Sequence, residues 1–373
     1  MHAIPSSSDQ IILVLSLIDG VGPVTVNRIV PYVQSASWQE LLSFLPSDWV
    51  VRCGLSDRVA RLVVAGLRDL SSFEKELQLI ERHGVRWVTV TSPDYPELLK
   101  AIEVPPPVIY YQGQLQAAEK NTLAVVGSRA ADAYGKLVID QLVPELVSYG
   151  WTIVSGGARG ADSMAHTATL QQQGITWAVL GSGLCHPYPR ENANLFDQIV
   201  AAGGAVVSAL PMNARPAPGN FPIRNRIIAG MSRGCIVVQA GRRSGASITA
   251  RHALEQGREV FAVPGPFDSS LSVGCHALIQ EGAKLVCHID DILVEFGLID
   301  TTKAFSCSID TVQLSASAGP EGKLICLCRS AKTLPELMEG LDLPLSQLQA
   351  LLFDLQLAGR VRQDISGRWI SAV

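Results

Sequence analysis

Between residues 122 and 266, one short apolar run after another is followed by glycine, arginine or both. These places are Gly127-Ser128-Arg129, Ser155-Gly156-Gly157-Ala158-Arg159-Gly160, Gly181-Ser182-Gly183, Arg224-Asn225-Arg226 just behind Phe221, Gly241-Arg242-Arg243-Ser244-Gly245, and Pro264-Gly265-Pro266. Glycine at such a turn lets the backbone approach a ligand closely and adopt positive φ. A helix that starts just beyond it aims unpaired N–H groups and the positive end of its dipole at an anion. Arginine adds a charge that does not titrate, in a planar geometry suited to phosphate. Any one of these turns has a plainer reading, since tight strand-to-helix connections need glycine for packing alone. Their convergence points to a phosphate-bearing ligand.

Gly-x-x-x-x-Gly-Lys-Ser/Thr does not occur, and no Gly-x-Gly-x-x-Gly follows the first run. That argues against a P-loop triphosphatase and against a dinucleotide, so no cofactor is expected. A row of arginines suits an extended polyanion better than one mononucleotide, with Phe221 placed to stack on a base or, alternatively, to pack in the core. Arg129, Arg224 and Arg226 would neutralise about three phosphates of such a polyanion. Asn225 and Arg226 have an alternative role in tying neighbouring loops together.

The runs that must position these turns read as buried strands alternating with helices. Strands are expected at 122–126, 151–155, 175–180, 205–209, 235–239, 259–263 and 284–287, and helices at 134–149, 161–173, 191–202, 222–231 and 246–256. The runs are continuously apolar rather than alternating, as in a parallel sheet covered on both faces. The fold class is therefore α/β, an extended Rossmann-like, doubly wound, mostly parallel sheet with ligands outside the carboxyl ends of its strands. Residues 1–85 read as a helical domain, with helical spacing at 10–18, 38–45, 58–70 and 73–82. Its Gly20-Val21-Gly22-Pro23 turn is like the helix-hairpin-helix phosphate clamp, or is a plain packing joint. The sheet domain is assigned to 86–299, opening with two short extended runs. Residues 300–320, rich in Ser, Thr and Ala, read as a linker. Residues 321–373 have the order of a winged helix, with a hairpin turning at Ser366-Gly367 and no Lys or Arg on its long helix.

The chain has 373 residues, 47% of them hydrophobic and only 17% charged, which excludes intrinsic disorder for most of its length. Its net charge is −4, yet between residues 120 and 258 cations outnumber anions and 11 of the 13 cations are arginine. No apolar run approaches the roughly 20 residues of a membrane span. The opening Met-His-Ala-Ile-Pro is unlike a signal peptide, so a cytoplasmic protein is expected. The eight cysteines show no metal-ligand spacing and are expected to be buried free thiols, with no bound metal.

VVGSR (125–129), SGGARGAD (155–162), FPIRNRIIAG (221–230), SGASITARHALEQGREVFAVPG (244–265) and LIQEGAKLV (278–286) together resemble the DNA-processing protein A family (DprA/Smf). That resemblance implies a non-enzymatic protein of competence and DNA recombination. It would bind and protect incoming single-stranded DNA, assist loading of the RecA recombinase in natural transformation, and act as a homodimer joined through the Rossmann-like domain. It implies a DNA site made of Gly127, Ser128, Arg129, Ser155, Gly156, Gly157, Ala158, Arg159, Phe221, Arg224, Asn225 and Arg226. Pro218-Gly219-Asn220 stands where some members have a lysine, and Gln239 where an acidic residue is usual. The competing reading is a Rossmann-like nucleotide-phosphate hydrolase, with Asp162, His166, His186 and Glu191 as candidate acids and bases; no pair of these has a spacing that forces contact.

Overall fold

The computed structural model describes residues 4–115, 121–242, 244–299, 320–328, 332–341, 343–363 and 367–371. The chain divides into two compact units, Met1–Ile299 and Asp300–Val373.

The first unit opens with helices α1 (Ser8–Ser16), α2 (Pro23–Val33), α3 (Trp38–Ser43), α4 (Pro46–Cys53), α5 (Asp57–Arg68) and α6 (Ser71–Arg82). Ser7, Ser37 and Ser56 cap α1, α3 and α5, each side-chain oxygen accepting an otherwise unpaired N–H of the first turn. There follow β1 (Arg86–Thr89), α7 (Glu97–Lys100), β2 (Val108–Gly113), β3 (Thr122–Val126), α8 (Ala133–Ser148), β4 (Thr152–Ser155) and α9 (Ala161–Gln171). Next come β5 (Thr176–Val179), α10 (Ala193–Ala201), β6 (Ala205–Ser208), α11 (Asn220–Gly230), β7 (Gly234–Val237) and α12 (Gly245–Glu255). The unit closes with β8 (Glu259–Ala262), α13 (Val273–Gln280), β9 (Lys284–Leu285) and α14 (Asp290–Glu295).

One sheet carries these strands in the order β1-β2-β6-β5-β4-β3-β7-β8-β9. From β6 to β9 all neighbours are parallel, while β1 and β2 add an antiparallel edge beyond β6. The strands lie within a few residues of their expected places. The two runs before residue 120 turn out to extend the sheet rather than merely connect to it. Helices α4, α7, α13 and α14 go beyond the expected set. Each is short, and α4 buries only Trp49 and Cys53, one turn apart, too little periodicity to mark it.

Strand β3 shows how both faces are covered. Leu123 and Val125 pack with Val138, Ile139 and Leu142 of α8, while Ala124 and Val126 pack with Ile227 and Ile228 of α11 and Ala250 of α12. This is the two-residue alternation of a strand between two helical layers. The amino-terminal helices share a third core with Val108 and Tyr110 of β2 and Val206 of β6. Glu76 of α6 is buried there and accepts the Met212 N–H at 2.7 Å, and burial raises its pKa.

From β3 the chain winds outward through β4, β5 and β6, then crosses back by α11 to β7 on the other flank of β3. The reversal opens a crevice over the carboxyl ends of β3 and β7, the usual ligand position in such a sheet.

In the second unit, α15 (Pro320–Leu327), α16 (Leu334–Leu341) and α17 (Leu345–Leu357) precede an antiparallel pair, β10 (Val361–Gln363) and β11 (Trp369–Ser371). Leu324, Leu337, Leu348, Leu352, Val361 and Trp369 form its core. The expected linker at 300–320, apart from Pro320, and Ser366 of the expected hairpin turn lie outside the described residues, as do Arg243, Cys307 and the side chain of Cys326. Among the other cysteines, Cys53, Cys235, Cys275 and Cys328 are buried free thiols, but Cys287 is exposed and Cys185 is partly so. Burial pushes the Cys235 thiol up to about 12.

Candidate nucleic-acid interface

The crevice is an open cleft of about 620 Å³ whose wall includes Gly127, Ser128, Arg129, Ala158, Asp162, Phe221, Arg224 and Asn225. A smaller extension of about 60 Å³ runs between Gly156, Arg159, Tyr188 and Pro189, with Arg129, Ala158, Phe221 and Arg224 shared between the two. Phe221 stands where they meet. Its ring centroid lies 5.9 Å from that of Tyr188, and the Arg129 and Arg224 guanidinium groups sit 5.2 Å and 5.9 Å from it. A partly exposed aromatic ring beside an exposed cation suits single-stranded nucleic acid, which is held by stacking without base reading.

Nine of the twelve expected residues thus line the cleft or its extension. Ser155 lies behind the wall, its Oγ donating to the Val125 carbonyl at 2.7 Å. Gly157 sits beside it, with its carbonyl accepting from Asn192 Nδ2 at 2.9 Å. Arg226 is on the opposite side of α11, where its guanidinium donates to the Val104 carbonyl. The Arg-Asn-Arg segment is not a loop, because α11 already begins at Asn220.

Arg224 is only 6% exposed. It donates to the carbonyls of Gly156 and Val179, and its Nε donates to Asn225 Oδ1 at 3.2 Å. It therefore joins α11 to the ends of β4 and β5. Burial lowers its pKa to about 10, with neighbouring Asp162 working in the opposite direction. Asp162, also buried, has its carboxyl pKa raised by the same desolvation, partly offset by Arg224 and by the Ala158 N–H at 3.3 Å. Desolvation dominates for both groups, so their attraction does not fully compensate for burying them. Gly156 is required at this junction, since a Cβ there would come within 2.5 Å of the Arg224 guanidinium. Gly160, at φ +70°, turns the chain into α9 directly against the Ser128 carbonyl.

Asn225 Nδ2 donates to the Gly245 carbonyl at 3.1 Å and ties α11 to the start of α12. Arg159 is exposed and paired with Glu191. Arg129 is exposed and forms no ion pair among the described residues. Gln239, the departure from the usual acidic residue, donates from Nε2 to Asp132 Oδ1 at 2.9 Å and accepts the Asp132 N–H at 3.2 Å. A carboxylate at position 239 would instead face another carboxylate, that of the α8 cap.

The four acid–base candidates are dispersed. His166 is fully buried, its Nδ1 2.7 Å from Thr176 Oγ1, and burial lowers its pKa to about 3. His186 Nε2 meets Asn213 Oδ1 at 2.8 Å, Glu191 pairs with Arg159, and Asp162 is held as described. Among the described residues no two of the four hydrogen-bond to each other, and no group of three or more His, Cys, Asp or Glu is placed to hold a metal ion.

The structure also adds cleft residues beyond the expected set. Ser244, Gly245, Ala246 and Thr249, in the first turns of α12, line it opposite Arg129. The Gly241–Gly245 turn signals their position, but its arginines draw attention away from the serine cap.

A mostly parallel, doubly wound α/β protein with a glycine- and arginine-lined crevice at its switch point is the class so defined. The family model for the DNA recombination-mediator protein A matches residues 86–297. Protein Smf of Escherichia coli is 38% identical over 344 residues, covering 91% of this chain and 89% of its own. The DNA processing protein DprA of Bacillus subtilis is 42% identical over 256 residues, covering 68% and 84%. The chain belongs to the DprA/Smf family. The X-ray structure of DprA from Streptococcus pneumoniae matches with a TM-score of 0.67 at 35% identity, over 77% of this chain and 97% of that one. DprA from Helicobacter pylori, whose structure is described for its single-stranded DNA binding mode, matches with a TM-score of 0.51 at 27% identity, over 57% and 95%. Among the described residues no helix is long and apolar enough to cross a membrane.

Proposed function

We propose that the cleft binds single-stranded DNA without catalysing a reaction on it. The observation that carries this reading is the exposed Arg129 guanidinium over the Phe221 ring, at the mouth of a crevice whose other walls are the glycine turns after β3 and β4 and the first turn of α12. Arg129 would take a phosphate, Phe221 a base, and the N–H groups around Ser128 and Gly245 a second phosphate. Arg224 would hold the wall in place rather than contact DNA, which lowers the number of arginines available to phosphate below the three read from the sequence. The family, and the binding named for the Helicobacter pylori relative, support the same ligand.

In this reading the protein is a cytoplasmic mediator that protects incoming single strands and assists RecA loading during natural transformation and recombination. It works as a homodimer through the Rossmann-like domain, here assigned to 86–299 after a helical domain at 1–85. Exposed Leu254 and Leu285, on the β8–β9 side of the sheet, supply apolar surface for such a dimer. The tail at 321–373 is read as a winged helix turned to protein contact. Its long helix α17 exposes Leu345, Phe353 and Leu357 and carries no Lys or Arg.

The test is fluorescence anisotropy with a labelled oligo-dT and the matching duplex over a salt series, for wild type and Arg129→Ala/Phe221→Ala. Binding that favours the single strand and is lost in the variant is expected. Equal binding by the variant would move the DNA elsewhere on the protein.

A further inference from the structure

Helix α11 has two working faces. Phe221, Asn225 and Ile228 face the cleft, whereas Ile223, Arg226 and Ile227 line a separate cavity of about 220 Å³. Residues three and four apart share a helix face, so the helix divides the two sets, with Arg224 between them lining both cavities. The far wall of the second cavity comes from the α1–α2 hairpin, through Val21 and Val26, and from Val108 at the start of β2. The lining is mostly aliphatic, with Ser16, Tyr110, Asn220, Arg224 and Arg226 as its other members. Arg224 commits its guanidinium to the Gly156 and Val179 carbonyls, which leaves Arg226, half-buried and with its pKa lowered by desolvation, as the cation with donors to spare. Among the described residues that guanidinium meets one hydrogen-bond acceptor, the Val104 carbonyl, while Glu103 acts on it only through its charge. Ile223, half-exposed, stands at the mouth.

A mostly apolar chamber with a few polar groups in its wall is the usual form of a small-molecule site. Guanidinium donors beyond the one given to Val104 favour an anion, and a planar carboxylate meets them two at a time. The volume accommodates one ring and a short chain. We propose that this cavity is a binding site for a small amphipathic monocarboxylate, its apolar body between α2 and α11 and its carboxylate on Arg226. The site does not rest on the function proposed above, and because its Arg226 end lies across α11 from the cleft, the carboxylate and oligo-dT should bind independently.

The experiment is saturation-transfer NMR with affinity titration on the full chain, using 3-phenylpropionate and its neutral counterpart 3-phenylpropan-1-ol. Both should receive saturation, the carboxylate binding about tenfold more tightly. Arg226→Met should remove that advantage and leave the alcohol unchanged, and Ile223→Trp, at the mouth, should exclude both. Saturating oligo-dT should displace neither. No transfer to either compound overturns the proposal, as does equal affinity of wild type for the two, a measurement that needs no variant to fold. Displacement by oligo-dT would place the probes in the cleft and overturn it as well. Carboxylate binding by a chain that fails to bind oligo-dT would sink the DNA reading and leave this one standing.

Discussion

Arg129 leaves the end of β3 with its guanidinium exposed over the Phe221 ring, whereas Arg224, one turn along α11 from that ring, is buried and donates to two backbone carbonyls. Both line the cleft, and in the sequence both promise a phosphate contact. Burial separates them. A guanidinium whose N–H groups already serve Gly156 and Val179 has few left for a ligand, and moving it would leave those carbonyls unpaired. An exposed one gives up only water when a phosphate arrives. Arginine in a glycine-rich turn is therefore ambiguous between a strut and a ligand group until its internal acceptors are known.

The largest expected effect tests the strut. Arg224→Ala should cost about 3–5 kcal/mol of stability in urea denaturation, since it strands the buried Asp162 as well as the two carbonyls. A loss below about 1 kcal/mol would break the comparison with Arg129. Next comes pH. His166 is held neutral by burial and by Arg224, with a folded-state pKa of about 3, so the unfolded chain binds the extra proton and stability falls as pH drops below the ordinary histidine range. Between pH 6.5 and 5 the loss should be about 2 kcal/mol, and His166→Gln should flatten it. Asp162, whose pKa is raised, works with the opposite sign: its contribution is present at low pH and lost as pH rises, which partly offsets the slope at its acid end. Thr176 Oγ1 donates to the Ile153 carbonyl at 2.6 Å, so it accepts from His166. A nitrogen-15 spectrum should accordingly show the proton on Nδ1.

The cleft side of the comparison gives smaller numbers. Phe221→Leu should weaken oligo-dT binding by about 1–3 kcal/mol through lost stacking. Arg129→Ala should cost about 1 kcal/mol at moderate salt, lower the magnitude of the log–log salt slope by about 0.7, and leave the urea midpoint unchanged. A shifted midpoint would make Arg129 a second strut.

The sheet and the cleft were legible in the sequence for the same reason. Runs such as Thr122–Val126 are buried on both faces and need no polar alternation, and the turns after them must be small where helices start. Which turn residues face outward was not legible. Ser155 and Gly157 share a motif with Gly156, but an alternating strand end sends neighbours to opposite sides, and Ser155 turns inward to Val125. Arg226 is two places from Arg224 on a helix, a separation that puts their side chains on well-separated faces. Reading the segment as a loop hides this. The antiparallel edge of β1 and β2 was equally hidden, because its strands are short and the pairing partner of β2 is β6, nearly a hundred residues away.

The smallest expected effect is the sharpest test of that geometry. Arg226→Gln removes a cation two residues from Arg224 and five from Phe221, so a reading by sequence proximity ranks it with Arg129. In the structure its guanidinium is turned to Val104, across α11 from the cleft. The salt slope of oligo-dT binding should therefore be the same as in wild type, where loss of a phosphate contact would reduce it by about 0.7. Stability should fall modestly, by about 1 kcal/mol for one partly buried hydrogen bond. A reduced slope at unchanged stability would place Arg226 on the DNA and require α11 to rotate or unwind when the strand binds.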